Sequence, residues 1–425
     1  MSFTLYAVAS TEFTQLNVNS QYQLYPEAEQ LMQSFLLNPG IPYNWGTNVN
    51  LPANNLQYFG LAVQPQTGLA YSLDPSKLNR IANLSYLNNN LYIPPNVAGA
   101  LLGIYHGNHF DYGFDFRMLP ALNITVTNST NGIYTVYVSD YAGVPAINAN
   151  VNVSYFAFCE IDQGSGQPQF FFNATRSYNV TNLFGYAGFK LSKPSLPQTC
   201  QPGNGQGNGN GNAKVAYLVM ASANYYGIEF QNFLSYATCK ADMILEGQYL
   251  LANFNPSNNN CYDVNGQSAS SKGNGNGNGN GNNGSVHVGA FYTVFEVTSS
   301  LNVIINPAVV CSDGQNSSQQ ACTVLNAGNK NSAVVQLAYP VSESVIFAGL
   351  IITTNGRNFF EVASNPLTNP YGYIEYSSNN LSTLASQSSG TKQAHVDSAV
   401  TVSRFVNVGQ NTWYATLTVW RMGQS

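Results

Sequence analysis

Two hydrophobic periods divide this chain, and together they constrain its fold more than any single motif. Apolar residues fall at Tyr6, Ala9, Phe13, Leu16, Leu24, Ala28, Leu31 and Phe35, in steps of three and four with Ser20 as the polar exception. That spacing predicts one long amphipathic helix. Pro26 removes a backbone donor and crowds the preceding turn, so a bend is expected there, and Asn38-Pro39-Gly40 ends the helix. From Phe114 onward the period is two. Ile124-Thr125-Val126-Thr127, Tyr134-Thr135-Val136-Tyr137-Val138 and Val151-Asn152-Val153-Ser154-Tyr155 alternate apolar with polar, and Val334-Val335-Gln336-Leu337 does so less strictly. Half-buried antiparallel strands fit this pattern. Between the two regimes a short helix is expected over residues 74–81, with Asp74 as its cap and Pro75 in its first turn.

A chain of 425 residues has room for two to four modules, each with a real core. Only 8% of residues are charged, against about 25% in ordinary soluble domains. Polarity is carried instead by Asn, Gly, Ser, Thr and Tyr. A surface that is polar without ionising keeps its solvation when carboxylates are protonated, which suits an acidic medium outside a cell. The net charge of −5 comes from 19 acids and 14 bases scattered singly, so nucleic acid is not an expected partner. Gly203 to Asn212 and Gly273 to Asn282 are Gly-Asn repeats, read as flexible linkers or loops. Neither repeat is set between a strand and a helix or closed by Lys-Ser/Thr, so neither is a phosphate-binding loop.

Cys159, Cys200, Cys239, Cys261, Cys311 and Cys322 contain no C-x-x-C pair, which points to disulfides and away from zinc or dithiol redox chemistry. Six cysteines allow 15 connectivities. Sequence neighbours are the expected pairs: Cys159 with Cys200, Cys239 with Cys261, and Cys311 with Cys322. Glycosylation sequons stand at Asn83, Asn123, Asn128, Asn152, Asn173, Asn179, Asn283, Asn316 and Asn380, about the number that chance gives in such a composition. No apolar run is long enough to cross a membrane as a helix.

Three groupings were weighed for chemistry. His106, His109, Asp111 and Asp115 form the densest set of metal-ligand types, but no helical spacing makes them converge. Glu160 and Asp162 lie on one face of a strand, at about 7 Å spacing, without a partner framework for glycoside hydrolysis. Serine is plentiful, yet no G-x-S-x-G elbow occurs, and His287 and His395 lie in unrelated strand-like contexts. No catalytic residue, cofactor or metal is therefore expected. The 28 tyrosines, among them Tyr225, Tyr226, Tyr371, Tyr373 and Tyr376, offer rigid amphipathic contact area or core filling.

The stretch Phe35-Leu36-Leu37-Asn38-Pro39-Gly40-Ile41-Pro42-Tyr43-Asn44-Trp45-Gly46, then Phe59-Gly60-Leu61-Ala62 and Ser72-Leu73-Asp74-Pro75-Ser76-Lys77-Leu78, resembles archaeal type IV pilin-like exported proteins. In that group a long helix ends in a similar Leu-Pro-Gly-x-Pro-x-Trp junction. Tyr112-Gly113-Phe114-Asp115-Phe116-Arg117 leading into Leu122 to Val126 resembles the first head strands of the group. Tyr134 to Val151 resembles an Ig-like surface module, with Gly185-Tyr186-Ala187-Gly188-Phe189 as its later strand. The segments Ala213 to Gly227 and Trp413 to Trp420 are similar to a returning head and a closing strand.

The resemblance implies a mainly β fold: an N-terminal amphipathic helix packed on an antiparallel β head domain, with an Ig-like β-sandwich and further C-terminal β structure. The expected boundaries are 1–38 for the helix, 39–133 for the first part of the head and 134–192 for the Ig-like insert. A linker at 193–212, returning head at 213–272, loop at 273–285 and C-terminal β-rich domain at 286–425 complete the series. The implied role is a non-catalytic extracellular subunit, minor pilin or adhesin, whose partners are other surface or pilin subunits, copies of itself, and cell-surface glycans. A viral or surface-layer structural protein, or an extracellular carbohydrate-binding or carbohydrate-active protein, shares the same composition. Pilins begin with a strongly apolar helix that this chain lacks, so membrane attachment is expected through a segment upstream of Met1. The genomic sequence upstream of Met1 is therefore expected to encode a short basic leader and about 20 apolar residues. Its absence sinks the pilin reading.

Overall fold

The computed structural model describes residues 24–64, 70–82, 91–107, 109–129, 132–162, 169–200, 212–235, 242–253, 291–311, 332–342, 344–354, 357–366, 372–378 and 396–422. It is mainly β, built from several antiparallel sheets. Residues 24–37 are helical (α1), and Leu24, Ala28, Leu31, Met32, Phe35 and Leu36 on one face are buried. The remainder of the expected helix, residues 1–23, and the expected bend's N-terminal side lie outside the described residues. At the other end Asn38 Oδ1 accepts from the Gly40 amide at 2.9 Å, and Gly40 takes φ +76°, the left-handed conformation that stops a helix. A second helix, Pro75–Ile81 (α2), has Asp74 as its cap, accepting from the Ser76 and Lys77 amides. Pro95–Leu101 forms α3.

A hairpin of Tyr105–His106 (β1) and His109–Phe110 (β2) precedes the first sheet. In that sheet Ile374–Ser377 (β18), Gly113–Pro120 (β3), Asn411–Met422 (β20) and Val396–Val408 (β19) are hydrogen-bonded in that order. Trp413 pairs with Pro120 and Trp420 with Gly113, so the closing strand lies along the first head strand. Phe35 of α1 meets Phe59, Phe114 and Phe116 at ring-centroid distances of 5.1, 5.7 and 5.0 Å, and Glu29 makes a two-pronged pair with Arg404 of β19.

Two more sheets cover one another. Leu122–Ser129 (β4), Ile133–Asp140 (β5) and Tyr186–Lys190 (β8) form a three-stranded sheet. Ile228–Ser235 (β10), Asn212–Tyr225 (β9), Asn150–Asp162 (β6) and Gln169–Val180 (β7) form a four-stranded one. Val136, Val138 and Phe189 share a core with Val151, Val153 and Val219. The opposite face of the four-stranded sheet, through Phe156, Phe158 and Leu218, packs on Phe295, Val297 and Phe347. Those residues belong to a seven-stranded sheet: Asp242–Glu246 (β11), Tyr249–Asn253 (β12), Ser332–Leu337 (β15), Val303–Cys311 (β14), Phe291–Thr298 (β13), Val345–Thr354 (β16) and Arg357–Ser364 (β17). Its two edge strands, β11 and β17, approach each other. The four-stranded sheet is thus an inner layer, and β6 changes along its length from alternation to the continuous run Tyr155-Phe156-Ala157-Phe158-Cys159 because both faces are covered.

Strand pairing runs across the boundaries expected from sequence. β4 lies before residue 134 yet belongs with β5 and β8. The segment 213–227, expected in the head, pairs along the whole of β6, from Asn150↔Asn224 to Asp162↔Asn212. β11 and β12 join the C-terminal sheet, while β18, β19 and β20 leave it for the sheet of β3. Which distant strand a segment pairs with depends on matching both of its faces, and local periodicity carries no such information. Cys159 of β6 and Cys200 are disulfide-bonded, both buried, and pin the chain to the sheet just before one Gly-Asn repeat begins. Closing a loop across 41 residues of sequence stabilises the fold by about 4 kcal/mol in the chain-entropy view. Cys239, Cys261 and Cys322, the Cys311 side chain and both Gly-Asn repeats apart from Asn212 lie outside what is described.

Gly60 sits where a Cβ would stand 2.1 Å from the Asn38 carbonyl oxygen, whereas a Cβ on Gly188 would meet nothing within 4 Å. Gly60→Ala is expected to cost about 3 kcal/mol, since backbone must move, and Gly188→Ala to change stability by less than about 0.5 kcal/mol. Urea unfolding of the two variants checks this, and equal effects would contradict the packing described.

Candidate functional site

The three segments on which the sequence resemblance rests converge around α2, which buries its polar side chains as well as its apolar ones. Lys77 Nζ donates to the carbonyls of Pro39 and Ala62 at 2.9 and 2.7 Å, with Asp74 Oδ2 at 3.7 Å. Arg80 donates to the carbonyls of Leu91, Leu51, Asn48 and Trp45. Trp45 donates its Nε1 proton to the Gly60 carbonyl, and its ring lies 5.6 Å from the Arg80 guanidinium and 6.0 Å from the Lys77 ammonium. Asn79 reaches the Leu245 carbonyl on β11 at 2.7 Å. Beside it Glu246 is fully buried, and neither carboxyl oxygen has a hydrogen-bond partner within the distance of a normal bond. Burial drives the Glu246 carboxyl well above the usual range, against the pull of Arg80, and the same desolvation raises Asp74. Every cation of this cluster is turned to loop carbonyls, so the cluster is scaffolding.

The residues singled out for chemistry do not assemble. His106 Nδ1 lies 3.0 Å from Asp111 Oδ2 on the exposed β1–β2 hairpin, the His109 side chain is outside the described set, and Asp115 is committed to Arg117 at 2.8 Å. Among the described residues, no three His, Cys, Asp or Glu side chains converge as a metal site. Glu160 is buried on β6, while the Asp162 side chain, His287 and His395 fall outside the described set. Of the sequons, Asn123 and its Thr125 are both exposed. Asn173 and Asn179 are exposed but donate their amide protons to the Ser195 and Gly188 carbonyls, and Thr181 of the Asn179 sequon is buried and donates to the Ala146 carbonyl. Asn152 is half-buried with Ser154 buried, and Asn128 is exposed. Asn83, Asn283, Asn316 and Asn380 are not among the described residues.

What sequence reasoning missed is a cleft of about 530 Å³ at the place where the sheets meet. Its walls come from the β3–β4 corner, the turn after β5, β10, the start of β16, the end of β17 and the start of β20. Phe230 and Trp413 pack edge to face in one wall at 5.2 Å, and Phe233 lies 5.3 Å from Phe347 in another. Asn365, Asn411 and Trp413 are each more than nine-tenths buried, yet among the described residues Asn365 Oδ1, Asn411 Oδ1, Trp413 Nε1 and the nearby Gln231 Oε1 have no hydrogen-bond partner. At the rim Tyr141 stacks on Tyr414 at 4.0 Å and 16°, with Phe405 edge-on at 6.0 Å. Tyr141 and Phe405 remain 43% and 46% exposed, which makes an open aromatic platform. Among the described residues of the lining, Asp140 is the one acid, its Oδ1 occupied by the amides of Ala142 and Val144, and there is no Lys, Arg or His. No single stretch of sequence carries this arrangement, because its parts are hundreds of residues apart.

No protein-family model matches the chain, and no curated protein is detectably similar to it.

Among the described residues, burial raises the carboxyls of Asp74, Asp115, Glu246 and Glu296, desolvation being the largest cause for each. A raised folded-state value means that the folded chain holds protons more tightly than the unfolded one. Their contribution to stability is fully present below the ordinary values of 3.8 and 4.5 and is lost as pH rises through the raised ones. The urea midpoint is expected to be higher near pH 4 than at pH 7, with Glu246→Gln flattening that dependence. A midpoint that falls on acidification would contradict the assignment.

Proposed function

We propose that the chain is a non-catalytic extracellular surface protein that displays β-modules and serves adhesion, as a pilin-like subunit, minor pilin or adhesin. The observation that carries this reading is the neutral cleft with Tyr141 in its lining, stacked on the half-buried Tyr414 beside the exposed Phe405, a surface made for contact. The pilin-like part draws support from α1, whose apolar face is built into the core beside the sheet of β3, with Glu29 tied to Arg404 across the boundary. In the same reading the three- and four-stranded sheets are the Ig-like sandwich, and α1 with the sheet of β18, β3, β20 and β19 is the head.

The low charge and the buried, proton-holding carboxyls agree with life in an acidic medium outside the cell. Antibody labelling of intact cells, together with fractionation, tests the proposal. Labelled protein on the envelope or on filaments is the expected result, and recovery confined to the cytosol overturns it.

A further inference from the structure

We propose that the cleft at the meeting point of the sheets binds a neutral saccharide, with a sugar ring lying against the Tyr141 rim and its hydroxyls entering toward Asn365, Asn411 and Trp413. This rests on the reading of the chain as an adhesive surface protein and gives that reading a partner class. The unpartnered polar atoms define the chemistry. Asn365 Oδ1, Asn411 Oδ1 and Gln231 Oε1 need donors, while Trp413 Nε1 needs an acceptor. A hydroxyl is both at once, so a polyhydroxylated ring satisfies the two kinds together. An anion would face three amide oxygens and Asp140, with no cation among the described residues of the lining to hold it. A metal ion would meet the Trp413 N–H, a donor that no cation accepts. An aliphatic ligand would leave all four atoms unpaired, at about 1–3 kcal/mol for each fully buried one.

The platform supplies the remaining element of recognition. Tyr141, held by its stacking on Tyr414, lines the mouth with its remaining face, where it can meet the C–H side of a pyranose ring. The cleft volume, about 530 Å³, falls in the range of sites that enclose small ligands. Trp413 stands on β20, flanked by β3 and β19, and Tyr141 opens the turn after β5 and packs on Tyr414, which is in register with Leu119 and Phe405.

The test uses the purified chain and, as probes, mannobiose, lactose and chitobiose, with glucuronic acid and sorbitol for comparison, read by ligand-observed NMR and calorimetry. At least one neutral disaccharide is expected to bind with a millimolar or tighter dissociation constant, and more tightly than glucuronic acid or sorbitol. Trp413→Phe keeps an aromatic ring against Phe230 but removes the N–H, and should weaken binding about fivefold to tenfold. Tyr141→Ala, at an exposed site that the core does not need, should weaken it about fivefold or more. Tyr226→Ala, 89% exposed and remote from the cleft lining, should leave it unchanged. Absence of binding by every neutral disaccharide, tighter binding of glucuronic acid, or equal affinity in the Tyr141 variant and the unaltered chain overturns the proposal. Binding by the purified chain does not depend on where a cell places it. A surface-located protein that binds no sugar therefore overturns this inference alone, and a sugar-binding protein confined to the cytosol overturns only the display reading.

Discussion

Two buried cations on α2 hold together the least regular part of this molecule. Residues 38–63 run largely without helix or strand ladders, so their carbonyls need partners from elsewhere. Lys77 and Arg80 supply them, reaching Pro39, Trp45, Asn48, Leu51, Ala62 and Leu91. Charge-assisted bonds of this kind are about twice as strong as neutral ones, and Trp45 is clamped between the same two cations. The helix end at Gly40, the close crossing of Gly60 over Asn38 and the docking of α1 on β3 all require this loop to stay where Lys77 and Arg80 put it. A chain with so few charges uses two of its 14 Lys and Arg residues here.

The cluster also reaches across to the seven-stranded sheet. Asn79 bonds the Leu245 carbonyl, and Glu246 is fully buried beside Asn79 and Arg80. A carboxylate in that position would be desolvated with only partial compensation, so the proton stays on it to a higher pH than in water. Asp115, on the sheet of β3, and Glu296, on the same seven-stranded sheet as Glu246, follow the same physics, and Glu296 is held by Asn306 at 2.6 Å. Neutral surface and proton-holding interior push in one direction: the folded state gives up little on acidification, where most proteins lose paired carboxylates.

Much of the secondary structure could be read from the sequence wherever one face of an element meets water. The alternation at residues 124–127, 134–138 and 151–155 marks parts of β4, β5 and β6, and Asp74-Pro75 marks the start of α2. The reading weakens where both faces are covered. In Val345-Ile346-Phe347-Ala348-Gly349-Leu350 the period vanishes, because one face looks into the seven-stranded sheet's own core and the other meets β9 and β6. Sheet membership was less legible still. β20 finds β3 across some three hundred residues, and nothing local to either strand names the other. Lys77 and Arg80 sit in an unremarkable helical heptapeptide, and only the fold shows that they are buried.

Among the described residues, the cleft is a place where buried polar atoms without partners concentrate. Around α2 nearly every buried donor has its acceptor. At the meeting of β3, β10, β16 and β20, four polar atoms gather without partners beside two ring pairs. An apolar residue at any of these positions would relieve a desolvation cost of about 1–3 kcal/mol. Structural economy therefore favours leucine or phenylalanine there, as at Leu417 or Phe116 nearby in the same sheet. The amides and the indole N–H are the groups that the proposed saccharide would satisfy. Departures from local consistency of this sort are expected at sites of function. The stacked tyrosines at the mouth add a second reason, because an exposed aromatic pair contributes little to folding and much to holding a flat, weakly polar partner.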